Sequence, residues 1–478
     1  MQRTNGQTNK RSNVFFLLAM AGCGGLLFDF GGTVINPAIP YLESLGLFTT
    51  AQLSHLTSAV VLGAAVSGLA AGAVAEWIGR KKAMLLASAV AGLAALPICI
   101  GGGAYWPFYA GRLMQGVAAG LVGVVVPMYL AETLDAANRG KGAGVFQFMD
   151  VVGILFCSLV GVAVVRIFGG PGDPATAEVA KIAAWKAVFW TSAVPALVFF
   201  AGALGLPESP VWKSRPSGRG TEQEPRRKRR GTEQTHDRGT EQCGEGGPRG
   251  ARPLPEGRDS LLRRRYVVPF AIALAVLVCN QATGCNAIQY FALKMLLDAG
   301  LGDSAAGAAN VSLWAVMLAA TAVACALVDR KGRKFLLMLG TSGMVLADIG
   351  AGFVFLALKR GWLAPSLLSG WAAATCLALF IAAFSIGPGV VVWLALSEIM
   401  PDRIRANGMA IGLFLNMMVA WLVADRFLII AERHGYAPLL FTLAFFAAIY
   451  FAVAAFLLPE TKGKTLAEIE KLFTSPNR

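Results

Sequence analysis

The sequence predicts an all-α membrane protein of twelve transmembrane helices in two six-helix pseudo-repeats, and three observations carry that reading. The first is composition: of 478 residues 56% are hydrophobic and only 15% charged, too apolar and too charge-poor for a water-solvated chain of this length. The second is the recurrence, end to end, of predominantly apolar stretches of about 20 residues, each long enough to cross a hydrocarbon core as a helix. The third is an internal duplication of the polar segments between them.

Taken in order, the first span is placed at 14–38 and holds Asp29, followed by Gly31-Gly32. The second, 52–76, ends in Glu76-Trp-Ile-Gly79-Arg80-Lys81, and the third follows at 83–104. The fourth, 107–131, contains Arg112 and runs out at Glu132, seven residues before Arg139. The fifth, 143–168, carries Gln147 and Asp150, and the sixth, 185–206, is closed by Pro207-Glu208-Ser209-Pro210. Spans seven to twelve are placed at 266–292, 304–328, 335–358, 366–396, 407–429 and 438–458. They repeat the punctuation of the first six. Asp329-Arg-Lys-Gly332-Arg333-Lys334 follows the eighth, Glu398 precedes Arg405 by seven after the tenth, and Pro459-Glu460-Thr461-Lys462-Gly463 closes the twelfth. A six-helix unit used twice is the build of carriers that rock two halves about a central site.

The domains expected are a tail at 1–13, a bundle at 14–212, a linker at 213–265, a second bundle at 266–460 and a tail at 461–478. The linker is rich in Gly, Pro, Arg and Glu and repeats Arg-Gly-Thr-Glu-Gln at 219–223, 230–234 and 238–242, a composition that predicts disorder. Its basic run at 226–230 could be read as a nucleic-acid signal, but beside twelve spans it reads as topology-setting charge, so no nucleic-acid partner is expected. With the N-terminus inside, only Arg166, Lys181, Lys186, Lys294, Lys359, Arg360, Arg426 and Arg433 fall on the outer side, and Arg112 falls within a span. Both termini are therefore expected in the cytoplasm, with the chain in the plasma membrane. Lys10-Arg11 before an apolar run ending at Cys23 faintly suggests a secretory leader, but the run continues and eleven spans follow, so it is read as the first span. The eight cysteines form no disulfide or metal pattern, and no cofactor is expected.

These polar segments resemble those of the sugar porters of the major facilitator superfamily, over about 18–470 and excluding 213–265. The combination of Pro207-Glu208-Ser209-Pro210, Pro459-Glu460-Thr461-Lys462-Gly463, Gly111-Arg112 and Pro127-x-Tyr129-x-x-Glu132 carries the resemblance. Gln281-x-x-Gly284-x-Asn286-Ala287 matches the family's Gln-Gln-x-x-Gly-x-Asn-Ala with Asn280 for the first Gln, and Gly387-Pro388-Gly389-x-x-x-Trp393 matches its proline-rich motif with Val390 and Val392 for two prolines. The resemblance implies the major facilitator fold and sugar transport, with Gln147, Asn280, Gln281, Asn286, Trp393 and Asn416 as substrate ligands.

The residue types fit that chemistry on their own terms. A sugar hydroxyl both donates and accepts, and carboxamides answer both functions without charge. An indole offers its face to the apolar side of a pyranose and its N–H to a hydroxyl. The competing reading is that each amide only joins neighbouring helices. Met317 stands where the family has Asn and Met417 where it has Trp, which leaves the sugar open.

The charges at span ends, Glu76, Arg80, Glu132, Arg139, Asp329, Arg333, Glu398 and Arg405, with Glu208 and Glu460, are read as a cytoplasmic gate whose ion pairs join the halves when that side is closed. The competing role is topology alone. For coupling, Gly463-Lys464-Thr465 ends like a phosphate loop, but Leu458 occupies the place of its first Gly, so ATP is excluded as the energy source. Asp29 and Asp150, ahead of Asp348 and Asp425, are the intramembrane carboxylates that could carry a proton. Family symporters resemble Gly-Tyr-Asp in the first span, whereas this chain reads Asp29-Phe30-Gly31. Arg112 is expected to pair with Asp29. The function expected is transport of a monosaccharide or polyol by alternating access as a proton symporter, acting as a monomer in the lipid bilayer. Uniport, another small organic solute or a transporter-derived sensor are the alternatives. An enzyme is not expected, because no nucleophile has a base at useful spacing among three histidines.

Overall fold

A computed structural model describes residues 2–214, 264–400 and 405–460, with Lys462 and Glu468; at 2–13, 136, 137, 139, 264, 265, 329, 393–395, 397 and 405–407 it describes the backbone alone. The side chains of Arg139, Asp329, Trp393 and Arg405 therefore lie outside the described residues, as do 215–263 of the expected linker and most of the 461–478 tail. Among the described residues, twelve helices are long and apolar enough to cross a membrane. They are α1 (Val14–Thr33), α2 (Thr50–Ile78), α3 (Arg80–Ile100), α4 (Tyr105–Thr133), α5 (Gly140–Phe168), α6 (Glu178–Leu204), α7 (Tyr266–Asp298), α8 (Asp303–Val328), α9 (Arg333–Lys359), α10 (Leu367–Val392), α11 (Gly408–His434) and α12 (Tyr436–Leu457). An even number of crossings brings both ends out on one face, here called the terminal face.

The departures from expectation have local causes. The first helix runs unbroken from Gln2, so residues 2–13 of the expected 1–13 tail are continuous with α1. It ends at Thr33 instead of 38, ahead of Pro37, whose ring removes a donor, and a short helix at Ile39–Ser44 follows. Helix α7 extends to Asp298 but is interrupted at Gly284, which takes φ 78°, a left-handed conformation that glycine adopts without a Cβ penalty. Helix α10 contains a π-helical turn at Ser385–Gly389 around Pro388. With little hydrophobic driving force between helices in lipid, small residues allow close approach. A Cβ on Gly116 of α4 would sit 2.0 Å from the Val60 carbonyl oxygen of α2.

The duplicated loops form the same structure twice. Gly79 and Gly332 have φ 95° and 93°, and a Cβ there would lie 2.5 Å and 2.7 Å from a carboxylate oxygen of Glu208 and Glu460. Each glutamate caps the helix that follows. Glu208 accepts from the Lys81 amide at 3.1 Å, and Glu460 from the Arg333 and Lys334 amides at 3.1 and 3.2 Å, answering the N–H groups a helix N-terminus leaves unpaired. Arg80 forks onto Glu132 at 2.8–3.2 Å while donating to the Ala75 carbonyl, and Arg333 binds Glu398 at 3.1 Å while donating to the Val328 carbonyl.

The halves, α1–α6 and α7–α12, meet along α2 with α11, α5 with α8, and α1 with α7. The polar bonds joining them cluster towards the face opposite the termini. There Lys294 binds Glu43 at 2.8 Å, the Gly172 amide donates to Asp303 at 3.1 Å, Asn310 donates to Ser158 at 2.6 Å, and His55 lies 2.6 Å from Asp425.

Candidate functional site

The interruption of α7 organises the site. The Thr283 hydroxyl closes the first segment by donating to the Asn280 carbonyl at 2.6 Å, and the chain resumes as a helix from Cys285. Asn280 and Gln281 thus end one segment, and Asn286 begins the next. Gln281 is held from α11: its amide nitrogen donates to the Asn416 side-chain oxygen at 3.3 Å, and Asn416 in turn donates to the Leu277 carbonyl at 2.9 Å. Asn416 is fully buried and its oxygen and nitrogen both serve helix contacts. Gln281 differs, because its side-chain oxygen is buried without a hydrogen-bond partner among the described residues. A buried acceptor left unmade costs about 1–3 kcal/mol, and a ligand hydroxyl would remove that cost.

Across the interface, α1 and α5 bring the acids together. Gln147 donates to one Asp150 oxygen at 3.0 Å, the other Asp150 oxygen is buried without a hydrogen-bond partner among the described residues, and Asp29 lies beside this carboxyl. Asp29 accepts from the Gln289 amide at 3.3 Å, across the two halves. The Gln289 carbonyl accepts from Asn36 at 2.6 Å, so one residue of α7's second segment is tied twice to the other half.

The expected Asp29–Arg112 pair is not among the bonds of this structure. Fully buried Arg112 donates instead to the Gly31 and Gly32 carbonyls at 2.8 and 3.0 Å, to Leu56 at 3.2 Å and to the Gln115 side chain at 2.6 Å. The end of α1 at Thr33 frees those carbonyls, and an array of aligned carbonyl dipoles satisfies a fork of five donors without a carboxylate. The charges read as a gate also bond within one half: Arg80–Glu132 in the first, Arg333–Glu398 in the second. Sequence reading did not single out Gln289. The available signal was its spacing, three residues beyond Asn286 and so on the same helical face. Nor did it find His55 or Asn310, whose partners in the other half are 370 and 152 residues away.

Two six-helix halves, a broken helix at their interface and a few polar groups converging in an apolar wall define a membrane carrier. The profile of the sugar (and other) transporter family matches residues 5–473, and the chain belongs to that family. The "Sugar transport protein MST7" of Oryza sativa subsp. japonica is 29% identical, over 96% of this chain and 91% of its own length. The "D-xylose transporter" of Levilactobacillus brevis is 26% identical, over 95% of this chain and 94% of its own. Among solved structures, that of a D-xylose-proton symporter superposes with a TM-score of 0.76 at 22% identity, covering 95% of this chain and 99% of the other, which shows the shared fold.

Proposed function

We propose that the chain carries a monosaccharide or polyol across the plasma membrane by alternating access, coupled to a proton, with its terminal face in the cytoplasm. The buried oxygen of Gln281, without a partner among the described residues, carries the sugar reading, because a neutral acceptor beside an apolar wall suits a hydroxyl and supplies no charge to balance an ionic solute. Asn286, partly exposed just past the break, and Gln147 on α5 face the problem from both halves, while Asn416 holds Gln281 in place. The relatives named for sugar and for D-xylose transport support the substrate class. The orientation rests on the distribution of Lys and Arg.

Clustering of the inter-half bonds on the opposite face supports assigning this state to a carrier closed there. In the alternate state the terminal-face charges, Glu76, Arg80, Glu132, Arg139, Asp329, Arg333, Glu398 and Arg405, bridge the halves as the cytoplasmic gate, with Glu208 and Glu460 fixing the helix ends that bear them. Symport is favoured over uniport by the two intramembrane acids, Asp29 and Asp150, lying side by side, the second bonded to Gln147 next to the proposed sugar path. Arg112 fixes the backbone that follows Asp29.

The test is labelled hexose, pentose and inositol uptake into vesicles with and without an imposed pH gradient, in wild type and Asp29→Asn. Wild type concentrates its sugar only with the gradient, while the variant loses accumulation and still exchanges sugar. A wild type that equilibrates sugar but never concentrates it is a uniporter, and one that moves none of the panel removes the sugar assignment.

A further inference from the structure

We infer that Asp425 of α11, gripped by Ser54, His55 and Ser58 of α2, is the lock that keeps the opposite face closed, and that these four are positioning residues for the transport cycle. The inference rests on the two-half carrier reading and is independent of which solute is carried.

The bonds converge on one turn of α11. The His55 Nδ1 lies 2.6 Å from one Asp425 oxygen, and since a carboxylate oxygen only accepts, the ring nitrogen donates. Ser58 donates to the same oxygen at 2.9 Å. Ser54 donates to the Ala424 and Asp425 carbonyls at 3.1 and 2.5 Å. Arg426 stands 3.5 Å from the second Asp425 oxygen. The Asp425 side chain is 4% exposed although the His55 ring is 38% exposed, so the carboxylate is sealed by the very helix from the other half that supplies its donors. Ser58 lies three residues after His55 and four after Ser54, spacings that put both one turn from it on the face towards α11.

A carboxylate so placed costs little only while those donors are present. Separation of α2 from α11 breaks four bonds at once, two of them to a charged oxygen, and these two are roughly twice as strong as neutral ones. The same seam in the repeat, α5 against α8, carries the neutral bond from Asn310 to Ser158 at 2.6 Å and, just past the end of α5, the bond from the Gly172 amide to Asp303 at 3.1 Å. The α2–α11 seam differs in placing two donors on one buried carboxylate oxygen, and it packs the longest interface between the halves.

The test reads the two faces separately. One cysteine reporter replaces Val162, packed against α8 at Gly307, and becomes reactive when the opposite face opens; another replaces exposed Gly144, three residues before Gln147 on the terminal-face end of α5. Labelling rates in membranes are corrected for protein lacking the reporter. Asp425→Asn, His55→Ala and the milder Ser58→Ala each raise labelling at 162 and lower it at 144, with Asp425→Asn shifting their ratio by about tenfold or more. The double variant His55→Ala with Asp425→Asn shifts it no further than Asp425→Asn alone. Unchanged labelling at both positions, or a rise at both together, overturns the inference, because a merely structural role loosens both faces. Should Asp425→Asn fail to reach the membrane, Ser58→Ala, which deletes one hydroxyl, decides the matter by the same ratio.

Discussion

Gln281 and Asn416 are both intramembrane amides, and their bonding separates their tasks. Asn416 accepts from one side chain and donates to a backbone carbonyl, so Asn416→Ala strands the Gln281 amide and the Leu277 carbonyl. It should cost about 1–3 kcal/mol of stability, read as a lower melting temperature in detergent, and raise KM by disordering its neighbour. Gln281→Ala strands the Asn416 oxygen but also removes the buried acceptor that has no partner among the described residues, so it should melt no lower than Asn416→Ala while uptake efficiency falls by about a hundredfold or more, since a site built to bond a hydroxyl loses that bond. Wild-type uptake kinetics in Gln281→Ala would refute the assignment. The amides were legible in the sequence because residue type and depth in an apolar span are local properties. The partners of Asp29 and Arg112 were not, because they depend on where α1 stops. Ending five residues before the expected boundary, it presents the Gly31 and Gly32 carbonyls to Arg112 and leaves Asp29 to Gln289.

At the scale of elements, the repeated loop after each second helix of a half is built from a glycine and a distant acid. Glu208 and Glu460 arrive from the ends of α6 and the α12 segment, 127 residues beyond the first amides they cap. The duplication makes this testable in parallel. Glu208→Ala and Glu460→Ala should each cost about 1 kcal/mol, the ordinary worth of a cap, through the same half-structure. Replacing both should cost about the sum, because the two sites share no partner. Thermal melts of the two single variants and the double check this. A strongly unequal pair of losses, or a double loss well above the sum, would mean that the two loops do not act as copies. Span count, the two-fold repeat and the approximate span ends were all legible, since hydropathy and loop punctuation write them directly. The interruption of α7 was not, because Gly284 inside an apolar run is compatible with an intact helix until Leu443 of α12 is packed beside it.

For the molecule as a whole, closure of the opposite face is a distributed event in which each inter-half bond contributes a bias. One of these groups lies outside the membrane spans and titrates. Burial holds the Glu43 carboxyl above the ordinary carboxylate range; Lys294 at 2.8 Å pulls it back, while Asp298 and Glu432 push it further up. In the closed form Glu43 therefore binds its proton more tightly than in a form where it meets water. By linkage, the form with the raised value gains stability as pH falls and loses it as pH rises through that value. Acidification on the opposite face, from neutrality towards the ordinary Glu range near 4.3, should thus favour closure through Glu43 even as the charge pairing with Lys294 is lost. The sign runs against the intuition that breaking an ion pair opens a gate, because the neutral acid no longer needs its desolvation offset. Glu43→Gln removes the titration and mimics the protonated form. Labelling of a cysteine at 162 should fall with decreasing pH in the otherwise native protein, and the fall should flatten in Glu43→Gln, which stays at the low-pH level throughout. A pH response of equal size in the variant would assign the effect to other groups at the seam, and a rise in labelling on acidification would show that the Lys294 attraction outweighs burial.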